Sequence, residues 1–210
     1  MIIRNEMKSD VEVISEVTKA AFEGHPYSNQ TEQFIVSALR ATAALTISLV
    51  AEVGGKVVGH IAFSPVTISD GSRDWYGLGP VSVLPEYQKQ GIGKSLIQEG
   101  LSLLKALGAK GCALVGDPQY YERFGFRNLP DLTLDGVPQE FFLALPFDEE
   151  KTQGVVVFHP GFAARGKEVN SANSEIPAAQ KRAEKGHSSF FERTRRVRKE
   201  ESPPFSFRDG

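Results

Sequence analysis

The 210 residues contain one cysteine, one tryptophan and two methionines, and no long apolar run. The lone Cys112 excludes an internal disulfide and any cysteine-based zinc site within a single chain. Its neighbours in Cys112-Ala113-Leu114-Val115 are apolar, which predicts a buried, inert thiol. The opening Met1–Glu6 lacks a signal-peptide core, and no apolar stretch reaches the roughly 18 residues of a membrane span. No membrane partner and a cytoplasmic location are therefore expected. A net charge of only -2 lacks the basic footprint of a nucleic-acid binder. That charge is unevenly spread, because residues 164–210 hold 11 Lys+Arg against 7 Asp+Glu.

What is present reads as one α/β domain followed by a charged tail. Ser9 with Glu12 has capping-box spacing, and Val13, Ile14, Val17, Ala20 and Ala21 continue it as a helix. The polar loop Glu23–Asn29 ends that helix, and Thr31 opens a second with Phe34, Ile35, Ala38 and Leu39 on one face. Gly54-Gly55 joins strands Ile47–Val53 and Lys56–Phe63 as a hairpin. A turn at Ser69–Ser72 leads to the strand Trp75–Val83, which Gly79-Pro80 should bulge or bend. Gly91–Leu107 carries a wide apolar face and predicts a buried helix ended by Gly108. Strands near 111–115, 126–129, 140–145 and 155–158, with a short helix at 120–124, complete the domain. Beyond Phe162 large apolar residues become scarce, so 164–210 is expected to be a mostly disordered tail outside a domain of residues 1–163.

The segment from Val81 to Ser95 carries the chemistry. It is not a Walker A loop, since Gln88 stands where the first glycine belongs, nor a dinucleotide fingerprint, since Leu96 replaces the third glycine. What remains is Gln88-x-x-Gly91-x-Gly93 opening a helix, where small residues let unpaired amides approach a diphosphate and the helix dipole favours its charge.

Residues 83–93 resemble the central motif of the GNAT family of N-acetyltransferases, a strand followed by Pro-Glu-Tyr-Gln/Arg-x-x-Gly-x-Gly/Ala and a long helix. Tyr120-Tyr121-Glu122-Arg123-Phe124-Gly125-Phe126 resembles a second family segment in the expected order. The resemblance covers about residues 1–163. It implies a mixed, mainly antiparallel sheet splayed between strands 4 and 5 with flanking helices. Acetyl-CoA is the implied cosubstrate, with no metal. Val81, Ser82 and Val83 would offer backbone to the pantetheine arm, while Gln88, Lys89, Gln90, Gly91, Ile92, Gly93 and Lys94 would take the pyrophosphate. Tyr121 would be the general acid toward the CoA thiolate, with Tyr120 and Trp75 packing and Asp117 capping the short helix.

The acceptor implied is a primary amine of a small molecule or protein, and a homodimer stays open. Many family members carry a basic Glu on the fourth strand, yet Trp75–Val83 contains neither acid nor histidine. Glu23, His25, Glu52, His60 and His159 are the substitutes to consider, acting through water. Two alternatives remain: a non-catalytic acyl-CoA-binding module, and an interaction protein using the basic run Arg193–Lys199.

Overall fold

A computed structural model describes residues 1–25 and 28–166. Tyr27, the basic run and nearly all of the expected tail lie outside the described residues. In chain order the elements are β1 (Ile2–Asn5), α1 (Val11–Phe22), α2 (Glu32–Ala41), β2 (Ile47–Val53), β3 (Lys56–Ile68), β4 (Trp75–Val83), α3 (Ile92–Ala106), β5 (Gly111–Val115), α4 (Pro118–Tyr121), β6 (Leu132–Thr133), β7 (Phe142–Pro146) and β8 (Gly154–Phe158). The sheet runs β1-β2-β3-β4-β5-β7, with β8 pairing the far end of β3 and the short β6. All pairs in the main path are antiparallel except β4 with β5. This is the expected mixed, mainly antiparallel sheet.

Two helical layers cover its faces. Alternate residues of a strand face opposite ways, so Ile61 and Phe63 join Leu96, Ile97, Leu101 and Leu104 of α3 in the main core. Val50 on the other face packs with Ile14 and Val17 of α1 and Val36 of α2. Trp75 is buried, as expected, in a second cluster with Phe142 and Val156. Cys112 is fully buried, and burial pushes its thiol pKa up, as an inert core thiol requires.

Several local expectations need correction. The first helix is not opened by Ser9 and Glu12. The Asp10 carboxylate instead accepts the Met7 amide at 2.7 Å and pairs with the Arg4 guanidinium at 2.6 Å, which holds its pKa low. The buried Asp10 thus gains two partners, the half-buried Arg4 and the Met7 amide, that an exposed Ser9 has no counterpart for. No strand forms over 126–129, where only an Arg127–Ala144 bridge is present. The run expected as a strand from 140 begins with a single helical turn at Gln139–Phe141, and the strand starts at Phe142.

Candidate active site at the β4–β5 seam

The site begins with the bulge at Gly79-Pro80. Across β3 and β4 the register steps from Ile61 opposite Val81 to Phe63 opposite Leu78, so β4 sets two residues, Gly79 and Pro80, against Ala62 alone. Gly79 has φ +147°, which an L side chain rarely adopts. On its other edge β4 pairs with β5 only from Trp75 to Gly77, opposite Gly111 to Ala113. Both strands continue beyond that point without pairing, so the expected splay is present.

Strand alternation tells which groups face the gap. The Leu84 amide donates to the Val58 carbonyl of β3 at 2.9 Å, so the Val83 and Val81 amides point the other way, toward the seam. Ser82 directs its amide to β3, and its hydroxyl lies 3.2 Å from that of Thr18. Among the three expected backbone partners, Val81 and Val83 therefore face the opening and Ser82 faces its neighbour strand.

The loop from Pro85 to Gly91 then turns the chain into α3. Gln88 Nε2 donates to the Val83 carbonyl at 3.1 Å, and Gln90 Nε2 donates to the Glu86 carbonyl at 3.2 Å, so both side chains brace the loop. Lys89 (φ +63°) and Gly91 (φ +80°) are both left-handed, a conformation that costs roughly 1–2 kcal/mol for a residue with a Cβ. The first intrahelical bond runs from the Ser95 amide to the Gly91 carbonyl at 3.0 Å, leaving the Ile92, Gly93 and Lys94 amides without helical partners. A Cβ at Gly91 would meet nothing within 4 Å, so the backbone is open at that residue. Lys89 and Lys94 are exposed beside it.

On the other side of the seam, the buried Asp117 caps α4 by accepting the Gln119 amide at 2.9 Å. Burial raises the Asp117 pKa. The two tyrosines of α4 then diverge. Tyr120 packs edge-on against Tyr121 and Phe124, carries Arg123 over its ring at 4.9 Å, and places its hydroxyl about 3.4 Å from where a Cβ on Gly93 would sit. Tyr121 is almost fully buried, and loss of water pushes its phenol pKa up.

Tyr121 lines a cavity of about 280 Å³ with Leu78 to Val81 of β4, Val115 at the end of β5 and Gly116 just after it. The bulge, the strand gap and the proposed acid therefore open onto one space. Phe158 and Phe162 wall it, in edge contact with each other at 5.0 Å. So do Ala164 and Arg165, just past the boundary expected for the domain. Glu32 at the start of α2 also reaches the cavity and was absent from the sequence-based candidates. Its only signal in the chain was a first-turn acid directly after the polar loop that separates the first two helices.

The five substitute bases fare differently. His60 is completely buried. Desolvation lowers its pKa to about 4, and its Nε2 lies 2.8 Å from Ser48 Oγ inside a cluster with Glu6 and Arg40. Glu52 pairs with Arg4 at 3.0 Å. His159 caps a turn by accepting the Gly161 amide at Nδ1. Glu23 is exposed. None of these four lines the cavity. His25 is half-buried, and burial lowers its pKa while the nearby Glu32 charge opposes that shift.

Comparison with known proteins agrees with this geometry. The family model described as an acetyltransferase (GNAT) domain matches residues 45–128. The Escherichia coli protein called uncharacterized N-acetyltransferase YhbS is 36% identical over 127 residues, which is 60% of this chain and 73% of the relative. A GNAT family acetyltransferase from Brucella melitensis, solved in complex with acetyl-CoA, is 51% identical with a TM-score of 0.69 over 77% of this chain and 97% of its own. YhbS solved in complex with CoA is 31% identical with a TM-score of 0.71, covering 79% and 93%. Identities of 31–51% that extend over 73–97% of these relatives' own lengths show that this chain belongs to the GNAT family of acetyltransferases.

Proposed function

We propose that the protein passes the acetyl group of acetyl-CoA directly to a primary amine of a small molecule or protein, with the donor lying along the β4–β5 seam. The observation that carries this reading is that the bulged residues Leu78 to Val81, the open end of the β4–β5 seam and Tyr121 line one cavity, while the same strand leads on to the α3 tip. The solved relatives that hold acetyl-CoA or CoA support the same donor here.

The pyrophosphate would sit on the amides from Gln88 to Lys94, where successive left-handed turns and the helix dipole concentrate positive potential. Lys89 and Lys94 add mobile charge. Pantetheine would pair with Val81 and Val83 as a partial strand. The thioester is already activated, so positioning and proton handling can supply most of the acceleration, and neither a metal nor a covalent intermediate is required. When the amine nitrogen joins the carbonyl carbon and the carbon–sulfur bond breaks, Tyr121 donates its proton to the departing sulfur. Burial keeps the phenol protonated, and because the thiol it forms ordinarily ionises near pKa 8.5, the transfer runs against the acidity difference and depends on close positioning at the moment the carbon–sulfur bond breaks.

Calorimetric titration with acetyl-CoA, followed by free-thiol release across a panel of amines, tests the proposal. Micromolar binding and amine-dependent thiol release are expected. No binding at tens of micromolar overturns the donor assignment, and binding without release for any amine favours a non-catalytic acyl-CoA-binding module.

A further inference from the structure

The cavity at the end of the seam holds more information than the donor path uses. Its described walls include Phe22, Ile35, Leu78, Leu134, Val137 and Phe158, an apolar lining drawn from both sides of the sheet. Glu32 is the one acidic side chain on those walls, and Arg165 is the one basic side chain. Glu32 is not a stray surface acid. Ser28, itself buried, lies with its hydroxyl 2.7 and 2.9 Å from the two carboxylate oxygens, and the same hydroxyl accepts the Gln30 amide at 2.7 Å.

A serine has one proton to give, whereas a carboxylate offers about four acceptor positions, so Glu32 keeps acceptor capacity after Ser28 has fixed its direction. Its position in the first turn of α2 also suits a negative charge. Among the groups around it, His25 feels that charge, since Glu32 opposes the shift that burial imposes on the ring.

From this we infer that Glu32 receives the acceptor's ammonium, and that the acceptor is a primary amine on a small, apolar body. The inference rests on the acetyl-transfer reading above and supplies the amine-side group missing from Trp75–Val83. A cavity of about 280 Å³ that also admits the acyl end of the donor has room for a ring or a branched chain. Asn29 and Thr31 are neutral polar side chains on otherwise mostly apolar walls, and the described walls hold no second carboxylate for a second ammonium, which selects against polyamines.

The proton balance is simple. The ammonium loses its first proton to Glu32, directly or through a water, and Glu32 releases it to solvent. The neutral nitrogen attacks the thioester carbonyl, and the carbon–sulfur bond breaks. The second nitrogen proton makes good the one that Tyr121 gives to sulfur. The products are the amide, CoA as its thiol and one proton in solution.

The test compares two acceptors of similar size in the full chain. Benzylamine is an ammonium at neutral pH, and 4-methylaniline is already neutral there. Glu32→Gln is expected to lower kcat/KM for benzylamine about 30-fold or more. For 4-methylaniline it should change it by less than about threefold. Calorimetric affinity for acetyl-CoA should stay within about twofold of wild type. Glu32→Asp, which keeps the charge on a shorter stem, should restore part of the benzylamine rate, and it decides alone if 4-methylaniline proves a poor acceptor. An equal fall for both amines, no fall for benzylamine, no Asp rescue, or a wild-type preference for spermidine over benzylamine overturns the inference. If wild type fails to bind acetyl-CoA, the donor assignment has failed instead, and the two failures are distinguishable.

Discussion

The two edges of β4 are built from the same nine residues and behave in opposite ways. Toward β3 the ladder runs from Gly59 opposite Val83 to Pro65 opposite Tyr76, interrupted only by the bulge. Toward β5 it stops after three residue pairs. The closed edge borders a partly buried polar cluster in which Arg40 donates twice to Glu6 and Ser48 bonds both Glu6 and His60, with His60 Nδ1 the atom left without a partner. The open edge borders amides that the fold does not use. Polar groups that the fold satisfies internally confer stability and specificity of packing, whereas those left unsatisfied beside a cavity are available to a ligand. The proposed site thus lies where β4 leaves its pairing incomplete.

The sharpest way to break the comparison is to remove chemistry from the open edge without touching the closed one. Tyr121→Phe deletes a single hydroxyl on the cavity wall. It should lower kcat for acetyl transfer by about 10² to 10³, the usual scale for a lost proton donor. Acetyl-CoA affinity and thermal stability should hold, because the ring keeps its packing against Phe124 and Phe126. A variant as fast as wild type by the thiol-release assay would remove Tyr121 from the mechanism.

Much of this contrast was legible in the sequence. The Gly54-Gly55 hairpin, the bulge at Gly79-Pro80 and the α3 tip at Gly91 depend on local backbone chemistry, which one or two residues announce. The closed cluster was not legible, since Glu6, Arg40, Ser48 and His60 lie up to 54 positions apart and no local pattern brings them together. The cavity walls were missed for the same reason: Glu32, Phe158 and Phe162 meet only when α2 and the segment after β8 converge on the seam. Asp10 displaced Ser9 as the first helix's cap because its partner, Arg4, comes from β1.

The closed edge makes its own prediction, in stability. The pKa of His60 falls from an ordinary 6.5 to about 4 on folding, chiefly through desolvation, with Glu6 opposing and Arg40 assisting. Between those values the unfolded chain binds a proton that the folded chain does not, so stability falls as pH drops from about 6.5 to about 4. The full loss is worth roughly 3 kcal/mol. Glu6 acts in the same sense at lower pH. Burial pulls its pKa up, but Arg40 and Ser48 outweigh that and leave it below the ordinary value. Urea unfolding at pH 7 and pH 4.5 should show the decline in wild type and a flatter profile in His60→Gln. Equal slopes in the two proteins would mean that His60 titrates normally.

The smallest expected effect separates backbone from charge at the α3 tip. Gly91 sits at φ +80° in open space, and Asn and Asp tolerate that left-handed region better than other side chains. Gly91→Asn should therefore preserve the fold and weaken acetyl-CoA binding only slightly. Gly91→Asp presents a nearly isosteric side chain with a negative charge, which the free helix N-terminus welcomes but an incoming pyrophosphate does not. Asp should weaken acetyl-CoA binding about tenfold beyond Asn, roughly 1.4 kcal/mol by calorimetry, while melting no earlier than Asn. The gap should narrow as salt is raised, because the repulsion acts between exposed charges. If Asn and Asp bind acetyl-CoA equally at low salt, the diphosphate does not lie at this tip, and the open edge of β4 leads somewhere else.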